Sequence, residues 1–210
     1  MAEWRQSNAP LEAAASLIAE ALQDTPSPRI AIPGGSAAAA LPALRDRMGE
    51  QWKRTTLTFV DERCVAIEHP DSNHGLARRT GALEGCAVVP LWKDGDTPDR
   101  AIARFEAQWS GLDAIVLGMG GDGHVASLFV GFAWPDGVLA FVPDSPKPPP
   151  ERMTLTLAAL ATASTTIVLA LGEGKRDALE RLHRRDRALP ASALDPIIVT
   201  DLHPKDESND

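Results

Sequence analysis

Asp122-Gly-His124 closes a glycine-rich turn that begins at Gly118 and follows the apolar block Ile115-Val-Leu117 directly. A short continuous apolar block fits a strand buried on both faces of a parallel sheet, and the turn then delivers the triplet to the strand's carboxyl end. Ligands bind at that end of open α/β sheets, and an imidazole is the side chain best suited to moving protons near neutral pH. Asp122, two residues earlier, can cap a helix starting here or fix the tautomer of His124. The pair lacks a third ligand nearby in sequence, and His69, His74, His183 and His203 show no paired spacing, so no metal is expected. Gly118-x-Gly120-x-x-Gly123 formally matches a dinucleotide fingerprint. Gly131 and Pro135 leave room for only about two helical turns after Asp122, fewer than a dinucleotide crossover needs, and that reading is set aside.

Other polar groups fall at similar places. Gly34-Gly-Ser36 lies between a short apolar strand and a helical stretch, where its amides and the Ser36 hydroxyl suit a phosphate; an ordinary capped helix start looks the same. Asp61-Glu-Arg63 follows the β-rich run Thr56 to Val60 and reads alone as a surface ion cluster. Arg152 and Lys175 also sit near predicted strand ends. In a parallel sheet Arg63, Arg152, Lys175 and the Gly34 to Ser36 turn would share one edge and could surround a phosphate.

The elements that must position these groups alternate. Helices are predicted at Ala9 to Gln23, Ala37 to Met48, Pro98 to Trp109 and Lys175 to Arg187, and about two turns from Asp122. Strands are predicted at Arg29 to Pro33, Thr56 to Val60, Cys86 to Pro90, Asp113 to Leu117, Val138 to Val142, Met153 to Leu157, Thr166 to Leu171 and Pro196 to Val199. Such alternation predicts an α/β protein with a mostly parallel, Rossmann-like sheet covered by helices on both faces. The polar tail Asp206 to Asp210 is expected to fray.

The chain has 210 residues, 44% hydrophobic and 24% charged, which suits one domain spanning residues 1–210 with a single core. A net charge of −8 argues against nucleic acid or anionic membrane as a partner, since those need a basic face, and leaves an anionic small substrate only where a few basic residues converge. No stretch approaches the ~20 apolar residues of a membrane span, and the start Met1-Ala-Glu-Trp-Arg5 lacks an export pattern, so a cytoplasmic protein with free Cys64 and Cys86 is expected. No protein partner is evident.

In this order, six segments resemble the 6-phosphogluconolactonase family: Pro33-Gly-Gly-Ser36, Phe59-Val-Asp-Glu-Arg63, Asp71-Ser-Asn73, Leu117-Gly-Met-Gly-Gly-Asp-Gly-His-Val-Ala-Ser-Leu-Phe129, Pro149-Pro-Glu-Arg-Met-Thr-Leu-Thr156 and Gly172-Glu-Gly-Lys175. The resemblance implies a three-layer α/β/α sandwich shared with glucosamine-6-phosphate deaminases. It implies hydrolysis of 6-phospho-D-glucono-1,5-lactone to 6-phosphogluconate without a cofactor. It makes His124 the base with Asp122 beside it, and Gly34, Gly35, Ser36, Arg63, Arg152 and Lys175 the phosphate site. Asp61 is expected to orient Arg63 or hold water, and amides of Gly120, Gly121 and Gly123 to face the oxyanion. Where the family often has Ser-Thr-Pro, this chain has Ser36-Ala-Ala38, which removes a possible hydroxyl ligand; Val130 stands in place of a frequent proline and alters a turn.

Two other functions fit the same frame. Glucosamine-6-phosphate deaminases share Asp-Gly-His but continue Ala-Phe-Asn-Glu-Pro, whose glutamate partners the histidine; Ala126-Ser-Leu-Phe129 supplies no such acid. A non-catalytic sugar-phosphate-binding protein is opposed by the presence of both Asp122 and His124.

Overall fold

A computed structural model describes residues 1–205; the expectation for the tail Asp206 to Asp210 lies outside them. The chain runs β1 (Glu3–Gln6), α1 (Pro10–Leu22), β2 (Arg29–Ile32), α2 (Leu41–Met48), β3 (Thr56–Phe59), β4 (Asp61–Arg63), α3 (Asn73–Arg79), β5 (Ala87–Val88), α4 (Pro98–Glu106) and β6 (Ala114–Leu117). It continues through β7 (Leu139–Val142), β8 (Arg152–Leu155), α5 (Leu157–Leu160), β9 (Thr165–Leu169), α6 (Arg176–His183) and β10 (Ile197–Thr200). Seven strands form a parallel sheet in the order β1-β10-β9-β6-β2-β3-β5, the middle layer of an α/β/α sandwich. All four residues of β6 are buried, as the apolar block Ile115 to Leu117 predicts for a strand covered on both faces.

Strand order decides where a ligand can sit. After the edge strand β1 the chain enters the centre of the sheet at β2, moves outward through β3 to β5, then returns to β6 on the other side of β2 and builds outward again through β9 to β10. The loops after β2 and β6 therefore diverge to opposite faces and leave a crevice between them, at the carboxyl ends of adjacent strands. The segments after β9, β6, β2 and β3 carry, in turn, Lys175, His124, Ser36 and Asp61.

A second, antiparallel sheet, β4-β8-β7, packs over that edge, where the alternation of elements predicts a mostly parallel sheet. Asp61-Glu-Arg63 is thus itself a strand, paired with Arg152 to Thr154, rather than a surface cluster. Arg152 reaches the shared edge through this antiparallel pairing, not through a parallel strand end.

Three local expectations are corrected, and two elements are added. The stretch after Gly34 begins as a 3₁₀ segment, Gly35–Ala40, and becomes α-helical only at Leu41. Pro42 explains the break, because its ring has no N–H for an i−4 carbonyl and clashes with it in continuous α-helix. No helix follows Asp122: Ala126 has φ +50° and Val125 bridges antiparallel to Leu128. The helix expected from Lys175 starts at Arg176 and ends at His183, after a 3₁₀ turn Glu173–Lys175. Strand β1 and helix α3 went unpredicted, the first because Glu-Trp-Arg-Gln pairs through its backbone at a sheet edge.

The core is anchored on the central strands, and Ile115 is fully buried there. Ile115→Ala should cost about 2–5 kcal/mol of stability through the lost burial and the cavity left behind. Urea unfolding checks this; a loss below about 1 kcal/mol would show that the site collapses around the smaller side chain.

Candidate active site

The crevice at the strand ends is a cleft of about 230 Å³ bordered by Gly34, Ser36, Arg63, His124, Lys147 and Lys175, with Asp61, Arg152 and Gly120 also on its wall. It therefore gathers residues from five sequence segments, those of Gly34 to Ser36, Asp61 to Arg63, Gly120 to His124, Arg152 and Lys175, and adds Lys147.

His124 lies on this wall with its Nδ1 2.5 Å from Asp122 Oδ1. With the proton on Nδ1 the imidazole donates to the carboxylate, and Nε2 carries the free lone pair; Nε2 has no hydrogen-bond partner among the described residues. Asp122 Oδ2 pairs with Lys147 Nζ at 3.0 Å, so one carboxylate holds a base with one oxygen and a cation with the other. Lys147 Nζ is also 3.3 Å from His124 Nδ1. Burial pushes His124 below its ordinary value of 6.5; the Asp122 hydrogen bond and charge oppose this, and the Lys147 charge adds to it. Burial would raise Asp122, but hydrogen bonds from His124 and Lys147 outweigh it and hold the carboxyl well below the usual carboxylate range. The imidazole face packs on Phe129, ring centroids 4.9 Å apart.

Close packing fixes this turn. A Cβ on Gly120 would fall 2.1 Å from His124 Nδ1 and 2.3 Å from Asp122 Oδ1, so only glycine lets the two side chains meet. The same compactness corrects the expected role of the turn amides. Gly120 N donates to His124 O at 2.9 Å and Gly123 N to Gly120 O at 2.9 Å, so neither is free for an oxyanion. Gly121 lies against the Gly174 carbonyl and Gly123 against Leu189, and neither borders the cleft.

Asp61 does not orient Arg63. It is buried, accepting from Ser127 Oγ at 2.8 Å and from Asn73 Nδ2 at 3.1 Å, with Arg152 Nη1 at 3.7 Å. Ser127 N in turn donates to Thr154 Oγ1 at 3.2 Å, so the loop after His124 is pinned to β4 and β8 together. This pinning replaces the expected helix.

Arg152 is 4% exposed and its donors are already committed: Nε to Pro149 O at 3.0 Å, and Nη2 to Lys147 O at 2.9 Å and Pro148 O at 3.1 Å. It clamps the proline-rich loop that carries Lys147, and offers a phosphate little beyond Nη1. Arg63 is different. Its Nη1 donates to Asp71 O at 2.6 Å, its Nε is buried without a partner, and neither it nor Lys175 pairs with a carboxylate among the described residues. Two uncompensated cations beside the amides of Gly35 and Ser36 make one end of the cleft suited to an anion.

Asn73 and Glu62 were missed as site-building residues. Glu62 is buried and accepts from Asn73 N and His74 N, both at 2.7 Å, and from Ser72 Oγ at 3.2 Å, which caps α3 from a distant strand. Burial raises its carboxyl above the ordinary value, against the pull of those backbone hydrogen bonds. Asn73, so held, closes on the phosphate-side turn: a Cβ on Gly34 would lie 1.7 Å from Asn73 Oδ1, which makes Gly34 a packing requirement. Lys147 could have been flagged as the lysine of the Pro-rich stretch Pro143 to Pro150, but no spacing rule links it to Asp122. Among the described residues no group of three or more His, Cys, Asp or Glu side chains could hold a metal, and no helix is long and apolar enough to cross a membrane.

Comparison with known proteins agrees with this architecture. The chain is 36% identical over 160 residues to the 6-phosphogluconolactonase of Rattus norvegicus, covering 68% of this chain and 62% of that protein. It is 34% identical over 179 residues to the 6-phosphogluconolactonase of Caulobacter vibrioides, covering 77% and 75%. The match thus spans less than two thirds of the mammalian relative's length. A crystal structure from Neisseria gonorrhoeae superposes with a TM-score of 0.80 at 26% identity, over 95% of this chain and 98% of that one. The profile described as Glucosamine-6-phosphate isomerases/6-phosphogluconolactonase matches residues 6–200. By this match and the similarity to the lactonases, the chain belongs to the family of glucosamine-6-phosphate isomerases and 6-phosphogluconolactonases.

Proposed function

We propose that the protein hydrolyses 6-phospho-D-glucono-1,5-lactone to 6-phosphogluconate, as one unit, in the cytoplasm and without a cofactor or protein partner. The observation that carries the reading is that His124 Nε2 is an uncommitted base on a cleft wall whose other end presents two cations, Arg63 and Lys175, that pair with no carboxylate among the described residues. Arg63, Lys175, Ser36 and the Gly34-Gly35 backbone would take the phosphate, fixing the sugar so that its lactone carbon reaches the imidazole. Water attacks that carbon while Nε2 accepts its proton. The imidazolium, stabilised by Asp122, then returns the proton to the ring oxygen as the carbon–oxygen bond breaks.

Deamination is the weaker reading for a structural reason. Sugar isomerisation needs a second group to move protons on carbon, and the strand-end carboxylate placed for that work, Asp61, is buried and tied to Ser127, Asn73 and Arg152. The segment Val125 to Phe129 that directly follows His124 carries no glutamate to partner it. Similarity to named lactonases supports the same choice.

The test is a coupled assay in which glucose-6-phosphate dehydrogenase makes the lactone in situ and 6-phosphogluconate dehydrogenase consumes the product. The wild-type chain should accelerate conversion above the spontaneous rate, and His124→Ala should lower kcat about 100-fold or more. A loss under about tenfold in a folded variant removes His124 from the base role.

Because only the neutral imidazole is a base, kcat should rise with pH through a limb below 6.5 and be level above it. Asp122→Asn removes the group that raises His124, and should move the limb lower still while reducing the plateau; an upward move contradicts the assigned contact. Arg63→Ala should raise KM about tenfold or more with kcat little changed, as for an interaction made equally in ground and transition states. A fall in kcat with KM intact would place Arg63 at the reacting carbon instead.

A further inference from the structure

The lactone reaction leaves one requirement without an obvious owner. When water adds to the carbonyl carbon, the carbonyl π pair moves onto oxygen, and a preorganised donor must meet that charge. Two of the turn amides expected to do so are spent, Gly120 N on His124 O and Gly123 N on Gly120 O, and Gly121 is outside the cleft lining. Arg152 commits Nε and Nη2 to loop carbonyls and turns Nη1 toward Asp61, 3.7 Å away. Neither Arg63 nor Lys175 forms a hydrogen bond or ion pair with Asp122 or His124.

We propose that the Lys147 ammonium is the electrophilic group that stabilises the oxyanion, resting on the lactonase reading above. Three observations place it. Its Nζ sits 3.0 Å from Asp122 Oδ2 and 3.3 Å from His124 Nδ1, on the cleft wall, so a single carboxylate sets the spacing between base and cation. An ammonium has three N–H donors, and Asp122 uses one. The loop is immobilised by Arg152, which is 4% exposed and donates to the backbone oxygens of Lys147, Pro148 and Pro149. A donor fixed before the reaction needs no reorganisation when charge develops.

The step balances as follows. Water oxygen bonds to the lactone carbon and gives its proton to His124 Nε2, and the π pair becomes an alkoxide beside Lys147. The pair then re-forms the carbonyl, the bond to the ring oxygen breaks with its electrons going to that oxygen, and the imidazolium protonates it. The resulting carboxylic acid releases its proton to solvent, and Lys147 remains an ammonium throughout.

Lys147→Met tests this cleanly because the clamp from Arg152 grips the backbone oxygen of residue 147, which the variant keeps. The coupled assay is run on the level part of the pH profile, with thermal unfolding alongside. Loss of one oxyanion donor predicts a fall in kcat of about 100-fold or more, with KM within about threefold of wild type and the unfolding midpoint unchanged. Unchanged kcat overturns the assignment and leaves the lactonase reading standing. So does a raised KM with normal kcat, which would make Lys147 a phosphate anchor. A deficit that disappears on the pH plateau also overturns it, since Lys147 would then act only on the protonation of His124. An inactive wild-type chain would bring down the reading and the assignment together.

Discussion

The Asp122 carboxylate is the constraint on which the site turns. Its two oxygens are divided between Nδ1 of His124 and Nζ of Lys147, so the tautomer of the base and the place of the cation are fixed by one group. Neither contact survives without the geometry around it. Gly120 must lack a side chain for the imidazole and carboxylate to approach, and the turn spends its own amides to stay compact. An acid and a base separated by a single residue would otherwise be as ready to cap a helix as to act together. What prevents the helix is the pull on Ser127 by Asp61 and Thr154, across a second sheet.

That second sheet divides labour among the charged residues. A parallel sheet with its order reversal between β2 and β6 creates the crevice, and any protein with this topology would have one. The antiparallel strands β4, β8 and β7 turn the crevice into a specific cleft by bringing Asp61 and Arg152 into its wall as structural ions. Their charges are matched to each other and to polar neighbours, as burial of an ion demands. Among the described residues Arg63 and Lys175 are left without a carboxylate partner at the cleft, where an acidic chain of net charge −8 would otherwise repel an anionic ligand.

Much of this was legible in the sequence. The apolar block Ile115 to Leu117 announced a central strand, and the glycine turn after it lies beside the candidate cleft; the parallel sheet followed from the alternation of elements. Backbone chemistry that depends on tertiary contact was not legible. Asp61-Glu-Arg63 reads as a charged loop because its partner strand lies some ninety residues later, at Arg152 to Thr154. Helix α3 has no apolar stripe, and contains Gly75; it is capped by Ser72 and by Glu62 from another strand, a contact no local window contains. Arg152 reads as a phosphate ligand from its charge and place, yet three loop carbonyls claim it. Lys147 reads as an ordinary lysine in a proline-rich loop until folding sets it against Asp122.

The account stands on Nε2 of His124 being unprotonated and free while Nδ1–H is held by Asp122, and nitrogen-15 NMR of the imidazole reads this directly. With the protein above the histidine pKa, the account predicts a protonated, hydrogen-bonded Nδ1 and a lone-pair-bearing Nε2, with that distinction weakened in Asp122→Asn. A proton on Nε2 in the wild-type chain, with Nδ1 bare, would contradict it, because the base would then face the carboxylate rather than the cleft.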